Sequence, residues 1–305
     1  MRLRDFGILF LLGSIWGASY LFIKVAVGVF PPATLVLGRV LIAGGLSWLI
    51  LKLQGSGLPR DRRDWVSFAG TGLLNGALPY TLITWGEQFV DTGVAAILIA
   101  SSPIFTVIFA QFFLPDERLN VSKAVGILLG FVGVAALVGP DALLGARNSL
   151  LGDIAIVAAS VSYGAAFIWT RLRMRRVAPM QATTGQLLMA TLYILPIALI
   201  VDRPWTLDLA PTTETLTAVL ALLALAIVGT SLAYLLYYWL VKQVGATQTS
   251  LVTYISPFTS IVWGALLLGE RLTASDFVGF ALILAGLAVI NGLAARRPAA
   301  RPSGQ

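Results

Sequence analysis

Long apolar stretches, separated by short polar connections, occupy almost the whole chain of 305 residues. A helix needs roughly 20 mostly apolar residues to cross a bilayer. Ten stretches meet that requirement, namely 6–27, 32–52, 64–86, 91–114, 121–139, 150–172, 179–201, 216–241, 246–268 and 275–294. Because lipid offers no partner for backbone N–H and C=O groups, each stretch is predicted to be a helix. The pattern therefore predicts an all-α integral membrane protein with ten transmembrane helices.

The second half of the chain repeats the first. The stretch "PIFTVIFAQFFLPDERL" that begins at Pro103 resembles "PFTSIVWGALLLGERL", which begins at Pro257. Earlier in each half, "WGASYLF" at Trp16 matches "YGAAFIW" at Tyr163. Further glycines, prolines and aromatic residues align between these motifs in the same order. The chain is therefore predicted to contain two copies of one unit.

Each copy holds five predicted helices. The first unit is 1–145, the second is 146–295, and 296–305 is a polar tail. Since five is an odd number, the second unit enters the membrane from the opposite side, and a pseudo-two-fold axis in the membrane plane relates the units. Inverted repeats around a central cavity are typical of secondary transporters, because exchanging the conformations of two equivalent halves turns an inward-open site into an outward-open one.

The basic residues lie mainly on one side of the predicted helices. With the N-terminus in the cytoplasm, sixteen of the 21 lysines and arginines fall at cytoplasmic helix ends, four fall at outer ends, and Arg39 lies inside the second helix. Since positive loops stay in the cytoplasm, this bias predicts a multi-pass protein of the inner (plasma) membrane with cytoplasmic N- and C-termini and tail. It also accounts for the net charge of +7 without a nucleic-acid partner.

The composition excludes several kinds of chemistry. Hydrophobic residues make up 58% of the chain and charged residues 11%, whereas a soluble domain carries about 25% charged residues. The chain has no cysteine and no histidine, which excludes Ser–His and Cys–His catalysis and thiolate metal sites. No stretch resembles a phosphate-binding loop. We therefore predict a protein that is not an enzyme and that uses no cofactor and no metal.

These motifs together resemble the EamA type of the drug/metabolite transporter (DMT) superfamily. They are "WGASY" at Trp16, the early Arg39 in helix 2, "SSPIF…DERL" from Ser101 and "ISPF…GERL" from Ile255, and the likeness covers essentially the whole chain. The resemblance implies a ten-helix exporter of small metabolites, in which helices 1, 3, 4, 6, 8 and 9 line a central cavity and helices 5 and 10 pack at the rim. Within the superfamily, the chain looks most like the YddG-like exporters of aromatic amino acids.

Aromatic and polar side chains in the apolar stretches mark a candidate substrate site. A buried phenol needs a hydrogen-bond partner and so faces the protein interior, and aromatic walls with a few hydroxyl groups suit an amphipathic or aromatic solute. Ordinary core packing, or interhelical hydrogen bonding for Asn75, is the alternative for each residue taken alone. The candidates of this kind are Trp16, Tyr20, Asn75, Tyr80, Tyr163, Phe167, Tyr234 and Tyr238.

Two prolines lie mid-span, Pro103 in the fourth helix and Pro257 in the ninth. Proline removes an N–H donor and clashes with the carbonyl four residues back, so both helices are predicted to break there. The flanking polar residues line a substrate cavity next to exposed backbone groups, or cap a packing kink with their hydroxyls. They are Ser101, Ser102, Thr253 and Tyr254.

Three charged residues are candidates for gating or for structural support. Arg39 is costly in lipid and is predicted to face the interior, where it binds a carboxylate, closes a gate or donates to backbone carbonyls. Glu117 and Glu270 lie shortly before helices 5 and 10. A carboxylate suits the positive end of a helix, so both are predicted to be structural caps rather than coupling residues.

The predicted energy source of transport depends on the absence of acidic residues and histidine from the middle of the predicted spans. Proton coupling usually needs an intramembrane Asp, Glu or His, and the nearest candidate, Glu87, lies only at the end of helix 3. The expected mode is facilitated export of amino acids, including aromatic and hydrophobic ones, by alternating access. A proton-coupled carrier and a carrier of drugs or of nucleoside- or sugar-type metabolites stay open as alternatives. The expected partners are a small-molecule substrate and the lipid bilayer, and the chain is predicted to be a monomer.

Overall fold

A computed structural model of the chain describes residues 3–114, 120–143, 149–174, 176–244, 249 and 252–294. Within these ranges the description does not extend to the side chains of 137–143, 238, 241, 242, 253, 254 and 290–294. Of the predicted functional residues, Glu117 therefore lies outside the described residues, and so do the side chains of Tyr238, Thr253 and Tyr254.

The described residues are helical, with no β-strand among them. The α-helices are α1 Leu3–Ala26, α2 Pro32–Leu53, α3 Arg62–Gly72, α4 Leu78–Gly86, α5 Thr92–Ile99, α6 Ser102–Phe113, α7 Val121–Leu143, α8 Leu150–Arg173, α9 Pro179–Ile197, α10 Thr213–Ala226, α11 Ala233–Val244, α12 Val252–Trp263 and α13 Ala274–Ala294. The all-α prediction is confirmed for this part of the chain.

Four wider π-helical turns join or extend these helices. Leu73–Ala77 joins α3 to α4, Ile227–Leu232 joins α10 to α11, Ala198–Asp202 extends α9, and Gly264–Leu268 extends α12. The first residues of the two joining turns, Leu73 and Ile227, are 154 positions apart. Tyr80 and Tyr234 are separated by the same number of positions. These two π-helical turns therefore occupy matching positions in the aligned sequence segments, and such turns occur frequently at functional sites.

Within the described ranges, six helical segments are long and apolar enough to cross a membrane. They are Leu3–Ala26, Pro32–Leu53, Thr92–Phe113, Leu150–Arg173, Pro179–Asp202 and Thr213–Tyr237. Shorter apolar helical segments are Val121–Ala136, Ile255–Leu268 and Ala274–Val289. These lengths and compositions are those of a multi-pass membrane protein.

Local sequence signals explain where several helices begin. Pro32 and Pro179 are the first residues of α2 and α9, a position at which the missing N–H has no intrahelical partner in any case. The Asp61 side chain accepts a hydrogen bond of 2.9 Å from the Arg63 N–H at the start of α3. Such caps satisfy the free donors of a first turn and fix the start of the helix.

Helices α7 and α13 pack through glycines that occupy matching places in the two sequence copies. A Cβ added to Gly133 would lie 2.8 Å from the carbonyl oxygen of Gly279, and a Cβ added to Gly286 would lie 2.5 Å from that of Gly126. Gly126 and Gly133 align with Gly279 and Gly286 in the repeat. The contact is therefore reciprocal. Gly133 of α7 faces Gly279 of α13, and their aligned residues Gly286 and Gly126 face each other with the helices exchanged.

The same reciprocity links α1 to α12 and α8 to α6. A Cβ on Gly17 would lie 2.8 Å from the backbone nitrogen of Ser260, and a Cβ on Gly164 would lie 2.9 Å from that of Thr106. Gly17 aligns with Gly164, and Thr106 aligns with Ser260. At all four positions the helices approach so closely that only a residue without a side chain fits.

The two mid-span prolines act differently. The fourth predicted helix is interrupted between Ile99, where α5 ends, and Ser102, where α6 begins one residue before Pro103. By contrast, α12 runs without interruption from Val252 to Trp263 with Pro257 inside it. The prediction of a break at both prolines is thus wrong for Pro257. A proline near a helix start has no intrahelical N–H to lose, whereas one inside a helix is accommodated by local adjustment within a bundle.

Candidate substrate site

Two tyrosines from the two sequence copies meet in the interior. The hydroxyl oxygens of Tyr80, in α4, and Tyr234, in α11, lie 3.4 Å apart, and either can be the donor. Tyr80 is only 5% exposed. Each tyrosine lies close after one of the two matching π-helical turns. The structure thus joins equivalent residues of the two halves through a single polar contact.

Two amides extend this contact. The Nε2 atom of Gln186, in α9, donates to the Tyr234 hydroxyl at 3.1 Å. The Nδ2 atom of Asn75, inside the π-helical turn after α3, donates to Oε1 of Gln186 at 3.1 Å. Tyr80, Tyr234, Gln186 and Asn75 therefore form one hydrogen-bonded chain. Such a chain fixes the orientation of side chains that would otherwise be unpaired in an apolar interior.

Arg39, in α2, contacts the same row of hydrogen-bonded side chains. Its guanidinium carbon lies 3.8 Å from the centroid of the Tyr80 ring, in a cation–π arrangement. Its Nε atom donates to the Thr230 hydroxyl at 3.0 Å. The side chain is buried, with 7% of its surface exposed. Arg39 thus brings a positive charge into a centre whose other members are neutral.

The remaining aromatic candidates occupy different surroundings. Tyr163 packs against the buried cluster that contains Tyr80 and also against a second cluster around α1 and α10. Tyr20 packs against that second cluster too. Trp16 lies elsewhere, with its ring 5.8 Å from that of Tyr237 and its side chain against Leu9 and Leu12. Phe167 is 58% exposed. Of these four residues, Tyr163 is the one that packs against the cluster containing Tyr80.

The serines before Pro103 are bonded to the backbone of the interrupted helix. The Ser101 hydroxyl donates to the Leu98 carbonyl at 2.6 Å, and the Ser160 hydroxyl of α8 donates to the same oxygen at 2.9 Å. The Ser102 hydroxyl donates to the Ile99 carbonyl, which lies four residues before the proline and receives no bond from it. Of the two interpretations given for Ser101 and Ser102, these hydrogen bonds favour the second, in which the hydroxyls cap a kink in the helix.

Glu270 is a helix cap, but of a different helix from the one predicted. Its carboxylate accepts a 3.0 Å bond from the Thr92 N–H and a second bond from the Thr92 hydroxyl. These groups begin α5, the fourth predicted helix, rather than α13. The start of α13 has its own cap, because Asp276 accepts from the Thr273 N–H at 2.6 Å. Glu270 therefore ties the end of one half to the other half.

Sequence reasoning missed three members of these arrangements. Gln186 aligns with Arg39 in the repeat, and that alignment was the signal that could have found it. Thr230 carried no signal, because it aligns with a glycine. Lys24 donates to the backbone carbonyls of Glu87 and Val90, both at 2.7 Å, although a side chain near a helix end is expected to extend toward water.

Two cavities lie away from the polar centre. One of about 150 Å³ is lined by Gly93, Ile261, Ala265, Glu270, Leu272 and Phe277. The other, of about 340 Å³, is apolar and lies between α1 and α10, with Phe22, Leu220 and Leu267 in its wall. Neither cavity is lined by the aromatic and amide side chains of the polar centre.

Comparison with known proteins decides the family. The model of the EamA-like transporter family matches the chain twice, over residues 5–139 and 150–292. The chain belongs to the EamA-like transporter family. The predicted membership of the EamA type is thereby confirmed. EamA proteins are transporters, so the small molecule and the bilayer are the partners that this family implies.

Named relatives of this EamA transporter cover nearly all of it. The uncharacterized transporter YoaV of Bacillus subtilis is 27% identical over 90% of this chain and 91% of its own. The uncharacterized inner membrane transporter YedA of Escherichia coli K12 is 28% identical over 95% and 93%. A protein of the same strain named "Probable amino-acid metabolite efflux pump" is 27% identical over 94% of each. None of these names assigns the YddG-like activity that the sequence motifs suggested.

The fold also has a solved counterpart. A crystal structure described only as that of a protein superposes with a TM-score of 0.65 over 97% of this chain and all of the other, at 21% identity. At that identity the match concerns the fold alone. It supports the arrangement of helices in which the polar centre was located.

Proposed function

We propose that this EamA transporter exports small amphipathic metabolites, and amino acids with aromatic or hydrophobic side chains above all, across the inner membrane by alternating access. The observation that carries the proposal is the Tyr80–Tyr234 contact, at which equivalent residues of two homologous halves meet in a buried polar centre. A carrier with one site between two halves requires such a meeting point.

The proposed architecture has ten spans in two inverted units, 1–145 and 146–295. The six long and three shorter apolar segments, together with 62–86 taken as one span, correspond to the ten spans of this proposal. The reciprocal glycine contacts of α7 with α13 support a two-fold relation, because a contact between equivalent halves occurs with exchanged roles. The excess of basic residues at one set of helix ends supports cytoplasmic termini.

The substrate class rests on the chemistry of the centre. Phenol rings stack on aromatic or apolar groups, while hydroxyl and amide groups bond to the polar part of a small solute. Tyr80, Tyr163 and Tyr234 supply the rings, and Asn75 and Gln186 supply the amides. The name of the E. coli relative with 27% identity, an amino-acid metabolite efflux pump, agrees with this class. We leave Phe167 out of the proposed site because its side chain is exposed, and Trp16 because it packs against Tyr237 in a different cluster.

The proposed energy source is the substrate gradient. A second mode, proton exchange, is favoured by one observation. Glu87, next to the end of α4, has no exposed surface, and neither of its carboxylate oxygens has a hydrogen-bond partner among the described residues. A buried acid of this kind can carry a proton. Drug and nucleoside- or sugar-type substrates stay as alternatives to be tested in the same assay.

Efflux from proteoliposomes tests these proposals together. Vesicles containing the purified protein are loaded with a panel of amino acids, sugars, nucleosides and cationic dyes, and the release of each is measured. We expect release of aromatic and hydrophobic amino acids above that of empty vesicles. Release of dyes or nucleosides without any amino acid would overturn the substrate class.

An imposed pH gradient distinguishes the two modes. Facilitated transport proceeds at an unchanged rate when the gradient is imposed or reversed. Strong acceleration by the gradient in the wild-type protein, lost in Glu87→Gln, would replace facilitation by proton exchange.

A further inference from the structure

Arg39 is a buried cation without an anionic partner among the described residues. Within this part of the chain, the ion pair that forms within 4.0 Å is the one between Arg4 and Asp5. Glu87 is near enough to interact electrostatically with Arg39, but its carboxylate oxygens have no hydrogen-bond partner there. A charge buried without compensation is costly, so its presence in the polar centre calls for a functional explanation.

The geometry leaves the binding edge of the guanidinium group available. The Tyr80 ring lies against its face, with the carbon atom 3.8 Å from the ring centroid. The Nε–H group is bonded to Thr230. A guanidinium group has five N–H donors in one plane, and those at the outer end have no acceptor among the described residues. The ring and the threonine thus hold the group in place while its two terminal nitrogens stay available.

The equivalent position in the other half is neutral. Gln186 aligns with Arg39 and contacts Tyr234, as Arg39 contacts Tyr80. The two aligned residues approach their tyrosines differently, since Arg39 lies over the ring and Gln186 donates to the hydroxyl. They also differ in charge, because arginine is a cation and glutamine is neutral. A two-fold centre with a single positive charge suits a ligand with one negative group at one end. A phosphate, with its higher charge, needs a cluster of basic groups.

We propose that Arg39 binds the carboxylate group of the transported molecule through its terminal N–H groups. A carboxylate matches the planar pair of donors and forms charge-assisted bonds with them. The substrate then lies with its carboxylate at Arg39 and its side chain toward Tyr163 and Tyr234. The inference rests on the proposed function, since it names the group by which an exported amino acid is recognised.

Matched acids and amides test this role. L-phenylalanine and L-leucine are compared with L-phenylalaninamide and L-leucinamide, which differ from them at the carboxyl group. Binding is measured as the ligand-induced shift in melting temperature of the purified protein, and transport as counterflow of labelled phenylalanine competed by each compound. The variants are Arg39→Gln, which installs the residue of the other half, Arg39→Lys, and Arg62→Gln as a control at an exposed arginine of α3.

We expect Arg39→Gln to weaken binding of the acids by about 10- to 100-fold, as the loss of hydrogen bonds to a charged group does. Binding of the amides should change by less than about 3-fold, a factor within the variation of uncharged hydrogen bonds. Arg39→Lys keeps the charge but not the planar pair of donors, so it should be intermediate. Arg62→Gln should behave as wild type.

Two results would overturn the inference, and they differ in what else they remove. If the wild-type protein binds acids and amides alike, or if Arg39→Gln weakens both to the same extent, Arg39 has a structural role and the transport proposal stands. If the wild-type protein neither binds nor transports any acid of the set, the proposed substrate class fails and the carboxylate site fails with it. Size-exclusion chromatography shows whether Arg39→Gln is folded. If it is not, the test uses Arg39→Lys and the comparison of acids with amides in the wild-type protein.

Discussion

The hydroxyl groups of Tyr80 and Tyr234 lie 3.4 Å apart, and the two residues are separated by 154 positions in the chain. They align with each other in the sequence repeat, so the contact joins one position to its own equivalent. In the proposed two-fold arrangement, a contact of this kind lies on the axis that relates the two halves. Any change in the relative position of the halves must therefore lengthen or rotate it.

Removal of either hydroxyl tests this relationship. Tyr234→Phe removes the acceptor of the Gln186 amide as well as the contact with Tyr80, so it should destabilise the protein by about 1–2 kcal/mol. Tyr80→Phe loses only the longer contact and should cost less. Melting curves in detergent and counterflow rates measure both effects.

The double variant separates a shared role from two independent ones. If the hydroxyls act on each other, Tyr80→Phe combined with Tyr234→Phe should cost less than the sum of the single variants. Tyr193→Phe is a suitable control, because Tyr193 packs against the same buried cluster from α9. Strict additivity of the two changes would show that the contact has no energetic part in the structure.

Glu270 and Thr92 connect the two halves by a second route. The Thr92 N–H group donates to Glu270 across 178 positions of sequence. Glu270→Gln should lower the melting temperature and destabilise the protein by about 1 kcal/mol, because it removes the negative charge at the start of α5. Glu214→Gln, at an exposed position in the first turn of α10, provides the comparison. Equal effects of the two substitutions would contradict a specific cap.

Glu87 supplies a third prediction. Because its two carboxylate oxygens are buried without a hydrogen-bond partner among the described residues, an ionised carboxylate there would be costly, and the neutral acid is the form that fits. Glu87→Gln has nearly the same shape and no charge, so its melting temperature should match that of wild type within about 1 °C, a change of less than about 1 kcal/mol. Glu87→Lys places a second cation beside Lys24 and should strongly reduce the folded yield.

One result for Glu87→Gln would contradict this prediction. A loss of stability of several degrees would mean that the charged form is the native one and that it is stabilised by a rearrangement involving Lys24. The comparison is made in one detergent and at one pH, so that only the carboxyl group differs.

The helical segments and the pairing of equivalent residues could be predicted from the sequence because both depend on local patterns. Apolar length indicated the helical segments, and aligned residues such as Tyr80 and Tyr234 indicated the repeat. The partners of charged groups could not be predicted in this way. Glu270 contacts Thr92 rather than the next helix, and Lys24 bonds to backbone carbonyls, since both choices depend on which helix ends adjoin in three dimensions.

The candidate site was predicted only in part for a related reason. Tyr80 and Tyr163 lie at or beside the polar centre, whereas Phe167 is exposed. One apolar helix can point an aromatic residue toward lipid or toward its neighbours, and a uniformly apolar sequence does not distinguish the two directions. Gln186 was accessible to sequence reasoning only through its alignment with Arg39.

The reciprocal glycine contact provides the last prediction. Gly133 and Gly286 each face the other helix of the α7–α13 pair, with 2.8 Å and 2.5 Å between an added Cβ and the nearest carbonyl oxygen. Gly133→Leu and Gly286→Leu should therefore separate these helices and destabilise the protein to a similar extent, by about 1–3 kcal/mol or more. In Gly45→Leu, an added Cβ meets nothing within 4 Å, so this substitution on α2 should be neutral or slightly stabilising, as leucine is a better helix former than glycine. Melting temperatures of the three purified variants measure the effect. If Gly133→Leu is severe and Gly286→Leu is tolerated like Gly45→Leu, the two halves do not share an equivalent contact, and the two-fold relation between them loses its structural support at this interface.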